Sequence, residues 1–153
     1  MPKTWALGTL IEKKPMNGNV LVDSNILVYF VDKNELQKHI KAKELLKSID
    51  PTGGQFFVSL QNLREFSNIA FKKSKLPAAE INRFVNLFSS VFAVLTDTKE
   101  DIENANIKKE NFKSSFWDSL LASTMQRNEI KKILTENIAD FKAFKEIEAI
   151  NPF

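Results

Sequence analysis

Asp23, Glu65, Asp118 and Asp140, with Asn137 beside the last, are the groups in this chain best placed to do chemistry. Asp23 comes directly after Val20-Leu21-Val22. Glu65 lies in the helical stretch after Phe56-Phe57-Val58, and Asn137 and Asp140 follow Ile133-Leu134-Thr135. Asp118 falls in the first turn of a helix that opens after Ser114-Ser115. Three or four carboxylates brought together repel strongly unless a cation sits among them. An oxygen-only donor set suits a hard divalent ion, Mg²⁺ or Mn²⁺. Such an ion activates water and stabilises charge on a phosphoryl group, so the chemistry to expect is hydrolysis of a phosphodiester.

Each acid also has a plainer explanation. Asp23 resembles a helix N-cap, a role that Ser24 or Asn25 would fill equally well; three polar candidates in a row between two apolar runs exceed what a cap requires. Glu65 taken alone is a solvated helix residue within reach of Arg64 or Lys72, a weak pairing at a surface. For Asp118 two readings stand. As a first-turn acid it favours the helix N-terminus. It also shares the stripe of Leu121, Ala122 and Met125, where an unpaired carboxylate is costly. Asp140 reads as a cap after Asn137, which itself tolerates turns. The case rests on the set, not on one member.

The rest of the composition narrows the chemistry. With no Cys, disulfide frameworks, thiolate zinc sites and cysteine nucleophiles are excluded. A single His39 leaves His-rich metal sites and Ser–His–Asp triads poorly supplied. His39 reads as a helix-surface or partly buried residue in preference to a substrate contact or general acid. Four Gly and no Gly-rich phosphate loop count against a nucleotide-using enzyme. The net charge of +3 is compatible with a nucleic-acid partner. Lys72, Lys73 and Lys75 read as a solvated helix end or as phosphate contacts. The longest apolar run, Ile26 to Val31, is too short for a bilayer. With no secretory h-region, the chain is expected to be cytoplasmic, without a membrane partner.

At 153 residues the chain fits one domain. Thirteen Phe against one Tyr suggest a phenylalanine-filled core. Residues 1–19 read as an N-terminal extension ending in the turn-like Lys13-Lys14-Pro15 and Asn17-Gly18-Asn19. Met16 stands where a shorter reading frame would begin, so residues 1–15 are expected to be an addition. Residues 20–153 are expected to form the single domain. Strands are predicted at Val20–Val22, Phe56–Val58, Val91–Leu95 and Ile133–Thr135, with a fifth at Glu146–Ile150. The spacing predicts helices over Leu36–Ile49, from Leu60 past Ala70, from Pro77 past Phe88, over Thr98–Asn106 and over Ser115–Arg127. Pro51-Thr52-Gly53-Gly54 is the clearest turn. This alternation predicts an α/β domain with a mainly parallel sheet of four or five strands. In open sheets of that kind ligands bind beyond the carboxyl ends of the strands, which is where all the acids would converge.

The motifs together resemble the PIN-domain family. Leu21-Val22-Asp23-Ser24-Asn25-Ile26-Leu27-Val28-Tyr29 is similar to its opening strand and Asp-(Thr/Ser)-Asn motif. Lys38-His39 with Ala42 and Leu45-Leu46 resembles the second helix. Val58-Ser59 with Leu63, Glu65 and Phe66, Phe116 through Ala122 around Asp118, and Leu134-Thr135-Glu136-Asn137 through Asp140-Phe141 resemble the segments carrying the later acids. Ile150-Asn151-Pro152-Phe153 is similar to the end of bacterial members. The resemblance runs from about Val20 to the end of the chain.

It implies a three-layer α/β/α sandwich and a Mg²⁺- or Mn²⁺-dependent ribonuclease. It implies also a VapC-type toxin, dimeric and silenced by a cognate antitoxin. Asp23, Glu65 and Asp118 would be the metal-site acids, supported by hydrogen bonds from Asn25 and Thr135. The chain departs from the pattern at Asn137, a position often held by Asp, so Asp140 is expected to supply the missing charge, with Glu136 facing outward. The same departure leaves open a PIN-like module that binds RNA or protein without cutting. A receiver-like or aspartyl-phosphate enzyme fits less well, because it needs a second acid pair and a Lys after a late strand, whereas Lys131 precedes the last strong strand.

Overall fold

The computed structural model describes residues 19–48 and 55–153. Residues 1–18, most of the expected extension, and the predicted turn at 51–54 lie outside them. The chain opens with β1 (Val20–Val22), α1 (Ser24–Val31) and α2 (Leu36–Lys47). β2 (Phe56–Ser59), α3 (Leu60–Lys72) and α4 (Ala78–Val91) follow, then β3 (Ala93–Leu95), α5 (Lys99–Asn111) and α6 (Phe116–Arg127). The last part comprises β4 (Lys132–Leu134), a 3-10 turn at Ile138–Phe141 and β5 (Glu148–Ile150).

All five strands form one sheet in the order β3-β2-β1-β4-β5, and every pairing is parallel. β1 is central, and each of its residues is buried. That is why it reads as an unbroken apolar run without alternation. Its residues nonetheless serve opposite faces. Val20 and Val22 join a cluster with Ile26, Ala42, Phe66 and Phe88 from α1 to α4, whereas Leu21 packs with Leu121, Met125 and Phe144 from α6 and the segment after the 3-10 turn. α5 lies against α6. Two apolar layers around one sheet make the three-layer α/β/α sandwich.

Phenylalanine fills the larger layer as its abundance predicts. Phe66 and Phe88 are fully buried, with ring centroids 5.1 Å apart at 89°, an edge-to-face arrangement that aromatic quadrupoles favour.

Several boundaries differ from the predicted ones. Val91 ends α4 instead of opening β3, because the Phe92 N–H still bonds the Phe88 carbonyl and keeps the helix closed. α5 runs on to Asn111, past the predicted end at Asn106. β4 stops at Leu134, although the Thr135 N–H continues the ladder to the Ile150 carbonyl at 2.9 Å. Among the described residues, no helix is long and apolar enough to cross a membrane.

Candidate active site at the reversal of strand order

The strand order turns back at β1, which pairs with β2 on one side and β4 on the other. The crevice beyond the carboxyl ends of these strands is where open α/β sheets bind ligands. Asp23 stands there. It leaves β1 with extended backbone and caps α1, its carboxylate accepting from the Ser24 N–H at 2.7 Å.

Four groups hold that buried carboxylate. Besides Ser24, Asn62 Nδ2 donates to Oδ1 at 3.2 Å, and Thr135 Oγ1 and Asn25 Nδ2 donate to Oδ2 at 2.8 and 3.3 Å. Asn62 is itself fixed by a reciprocal capping box with Ser59 at the start of α3. Burial nevertheless pushes the Asp23 carboxyl up to about 6. The bonds from Thr135 and Ser24 oppose the rise, and the charges of Glu65 and Asp118 add to it.

Glu65 is half-buried and turned inward. Its Oε2 accepts from Ser24 Oγ at 2.7 Å and its Oε1 from Gln61 Nε2 at 3.1 Å. These bonds replace the surface pairing with Arg64 or Lys72 that its sequence context allowed. Asp118 satisfies both of its readings at once. In the first turn of α6 its N–H bonds the Ser115 cap, while its carboxylate is half-buried and accepts from Ser115 Oγ at 2.7 Å. Burial raises its pKa, the Ser115 bond opposes that, and the charges of Asp140 and Glu65 raise it further. Asp23, Glu65, Asp118 and Asp140 therefore share one electrostatic neighbourhood. Among the described residues, however, no three of His, Cys, Asp and Glu stand close enough together to hold a metal ion as they are placed. The cavity of about 520 Å³ lined by Lys108, Ile130 and Phe144 contains none of the four acids.

Asn137 and Asp140 are exposed, on and after the segment that leaves β4. The Asn137 N–H donates to Thr135 Oγ1 at 3.0 Å. Glu136 points elsewhere: Tyr29 Oη donates to it at 2.6 Å and Lys38 Nζ pairs with it. Burial works against its charge, but the bonds from Lys38 and Tyr29 prevail and keep its carboxyl below the usual range. His39 is buried, its Nδ1 2.9 Å from the Tyr29 carbonyl oxygen, so it packs α2 onto α1. Lys72, Lys73 and Lys75 are exposed at the end of α3.

Sequence reasoning missed Gln61 and Asn62 as parts of this network, and it singled out Ser24 beside Asp23 without finding its bond to Glu65. Asn62 left a signal as the fourth residue of the Ser59-x-x-Asn62 capping pattern, and Gln61 left none.

A model of the PIN domain matches residues 20–147. The chain belongs to the PIN-domain family. No curated protein matches it in sequence. Solved structures share the PIN fold at low identity. A DNA-bound VapBC from Salmonella typhimurium aligns with a TM-score of 0.65 at 17% identity, over 90% of this chain and 100% of that one. A toxin–antitoxin complex from Klebsiella pneumoniae gives 0.62 at 20% identity, over 88% and 98%. A VapC toxin from Mycobacterium tuberculosis, described as cleaving the sarcin–ricin loop, gives 0.59 at 18% identity, over 74% and 86%.

Proposed function

We propose that this PIN domain is a divalent-metal-dependent endoribonuclease of the VapC type, the toxin half of a toxin–antitoxin pair. The observation that carries the reading is Asp23: a buried carboxylate at the reversal of strand order, held by four donors and pushed up to about 6 beside Glu65 and Asp118. A group so placed has its charge opposed by its surroundings, and a cation removes the opposition. The donor set, carboxylates with an amide oxygen from Asn137, fits Mg²⁺ or Mn²⁺. Asp23, Glu65, Asp118 and Asp140 would hold the ion, with Asn137 as a neutral ligand. When bound, such an ion activates water and stabilises charge on the phosphoryl group. Asn25 and Thr135 orient Asp23. Glu65 accepts from Ser24 and Gln61, and Asp118 from Ser115, bonds that would hold these carboxylates until an ion binds.

The structural neighbours named as toxins and toxin–antitoxin complexes support the RNA substrate and the cognate antitoxin. A nuclease that cuts cellular RNA needs restraint, and a basic side chain of the antitoxin inserted among the acids would supply it. The homodimer rests on family resemblance; light scattering at micromolar concentration tests it, and a monomer removes it.

The deciding assay incubates purified protein with structured and single-stranded RNAs, with Mn²⁺, Mg²⁺ or EDTA. Cleavage is expected with the ions and not with EDTA. Asp23→Asn, Glu65→Gln and Asp118→Asn are each expected to abolish it while the protein still melts cooperatively. Activity in EDTA, or no cleavage of any RNA with either ion, overturns the reading. Binding without cutting assigns the chain to the non-catalytic alternative, whose one supporting feature is Asn137.

A further inference from the structure

Trp117 is the most exposed of the large hydrophobic side chains among the described residues, at 60%. A lone exposed apolar residue is ordinary, but this one has a particular address. It immediately precedes Asp118 in the first turn of α6. Its carbonyl oxygen accepts from Gln61 Nε2 at 3.1 Å, and the same amide nitrogen donates to Glu65 Oε1 at 3.1 Å. One buried amide thus ties the Trp117 backbone to a site carboxylate. The indole is also braced edge-on by Phe116, with ring centroids 5.4 Å apart at 75°. Ile138, between Asn137 and Asp140 in sequence, is exposed as well.

We propose that Trp117 is a stacking platform for an unpaired base of the RNA, next to the phosphodiester that the acids address. The inference rests on the ribonuclease reading and names how its substrate is held. A flat apolar ring on a fixed backbone suits a nucleobase, because every base has a π-face and an aromatic side chain stacks on it without sequence demands. Charge complements shape. Lys113 and Arg64 are exposed and close in sequence to Trp117 and Glu65, and such cations would offset the repulsion between the acids and the flanking phosphates. Stacking here requires the bases near the cut to be unpaired, so single-stranded or looped RNA is the expected substrate class.

The chain has two tryptophans, so Trp5→Phe leaves Trp117 as the only indole. In a Trp5→Phe, Asp23→Asn background, titration with a twelve-nucleotide single-stranded RNA is expected to change the indole fluorescence. An abasic oligonucleotide of equal length is expected to bind on the order of tenfold more weakly. With Asp23 intact, Trp117→Ala is expected to raise KM by a similar factor with kcat within about twofold, and Trp117→Phe to recover most of the loss. An unchanged KM with a silent indole, while the parent still cuts RNA, overturns the platform and leaves the nuclease. A responding indole in a protein that cuts no RNA keeps the platform and removes the nuclease. A Trp117→Ala change confined to oligomeric state assigns the ring to a protein interface and overturns the proposal.

Discussion

Thr135 Oγ1 donates to Asp23 Oδ2 at 2.8 Å, a bond between groups 112 residues apart that joins the ends of two neighbouring strands. The same oxygen accepts from Asn25 Nδ2 at 3.2 Å and from the Asn137 N–H at 3.0 Å. A hydroxyl has one proton and two lone pairs, so Thr135 is used to capacity. It links the acid, the residue that helps orient it and the segment that leads to Asp140.

Replacing Thr135 with Val keeps the shape and removes all three bonds. Stability is expected to fall by about 1–3 kcal/mol, the penalty for buried polar groups left without partners. The Thr135 bond lowers the Asp23 pKa, so its loss moves that pKa higher and shifts the acid limb of the cleavage profile to higher pH. Thr135→Ser is expected to behave nearly as the parent. Chemical denaturation and a pH–rate profile check both; an unmoved acid limb in Thr135→Val would show that Asp23 does not govern it.

Asp23 also makes stability depend on pH. Its carboxyl lies at about 6 in the fold against an ordinary 3.8. Between those values the folded chain holds the proton more firmly than the unfolded chain. This contribution to stability therefore falls as pH rises through the window, and the penalty is complete above it. Without divalent ions, the melting temperature of Asp23→Asn relative to the parent is expected to climb from pH 4.5 to 7. Mn²⁺ is expected to raise the parent's melting temperature more at pH 7.5 than at pH 5, where the proton competes. A flat difference between parent and variant would place the Asp23 pKa near its ordinary value.

A second buried acid plays a different part. Asp101 is 0% exposed, accepts from Arg127 Nε at 2.9 Å and from Thr124 Oγ1 at 3.2 Å, and caps α5 reciprocally with Thr98. Burial opposes its charge, but the Arg127 and Thr98 bonds prevail and hold its carboxyl below the usual range. Removing Arg127 leaves that charge uncompensated, so Arg127→Met is expected to cost about 3 kcal/mol. Arg127 ends the helix whose first turn holds Asp118, so kcat per folded molecule is expected to be preserved. A melting curve like the parent's would mean that water reaches Asp101.

The parts legible in the sequence were those with short-range signals. β1 is an apolar run buried throughout, β2 and β4 are short and mainly apolar with their last residues buried, and the acids after them were read from strand-end geometry. β3 was harder, because its residues are partly exposed and the apolar face of α4 runs into it without a break. The network around the acids was illegible for another reason. Ser24 reaches Glu65 across 41 residues, Asn62 reaches Asp23 across 39, and Lys38 reaches Glu136 across 98. No local pattern encodes such partners; they exist only once the sheet has set the strand order.

The segment after Thr135 supplies the last test, because it offers Glu136, Asn137 and Asp140 within five residues. Glu136 is engaged by Lys38 and Tyr29, with a depressed pKa, and its own N–H donates to Asn25 Oδ1 at 3.2 Å. Asp140 is exposed, yet its charge is felt at Asp118. The 3-10 turn at Ile138–Phe141, closed by the Asp140 N–H on the Asn137 carbonyl at 3.1 Å, sets the two residues close together. Asp140→Asn is therefore expected to lower Mn²⁺ affinity, measured by calorimetry, by about tenfold, the size of effect one charge–charge contact of 1.4 kcal/mol produces. Asn137→Asp is expected to preserve or raise that affinity, because it adds charge where a cation is held. Judged by sequence alone, Glu136→Gln would be nearly silent. With two partners in place, it is expected to cost about 1 kcal/mol of stability and leave Mn²⁺ affinity within twofold. The reverse order, with affinity lost in Glu136→Gln and kept in Asp140→Asn, would move the fourth ligand to Glu136 and require Lys38 to release it.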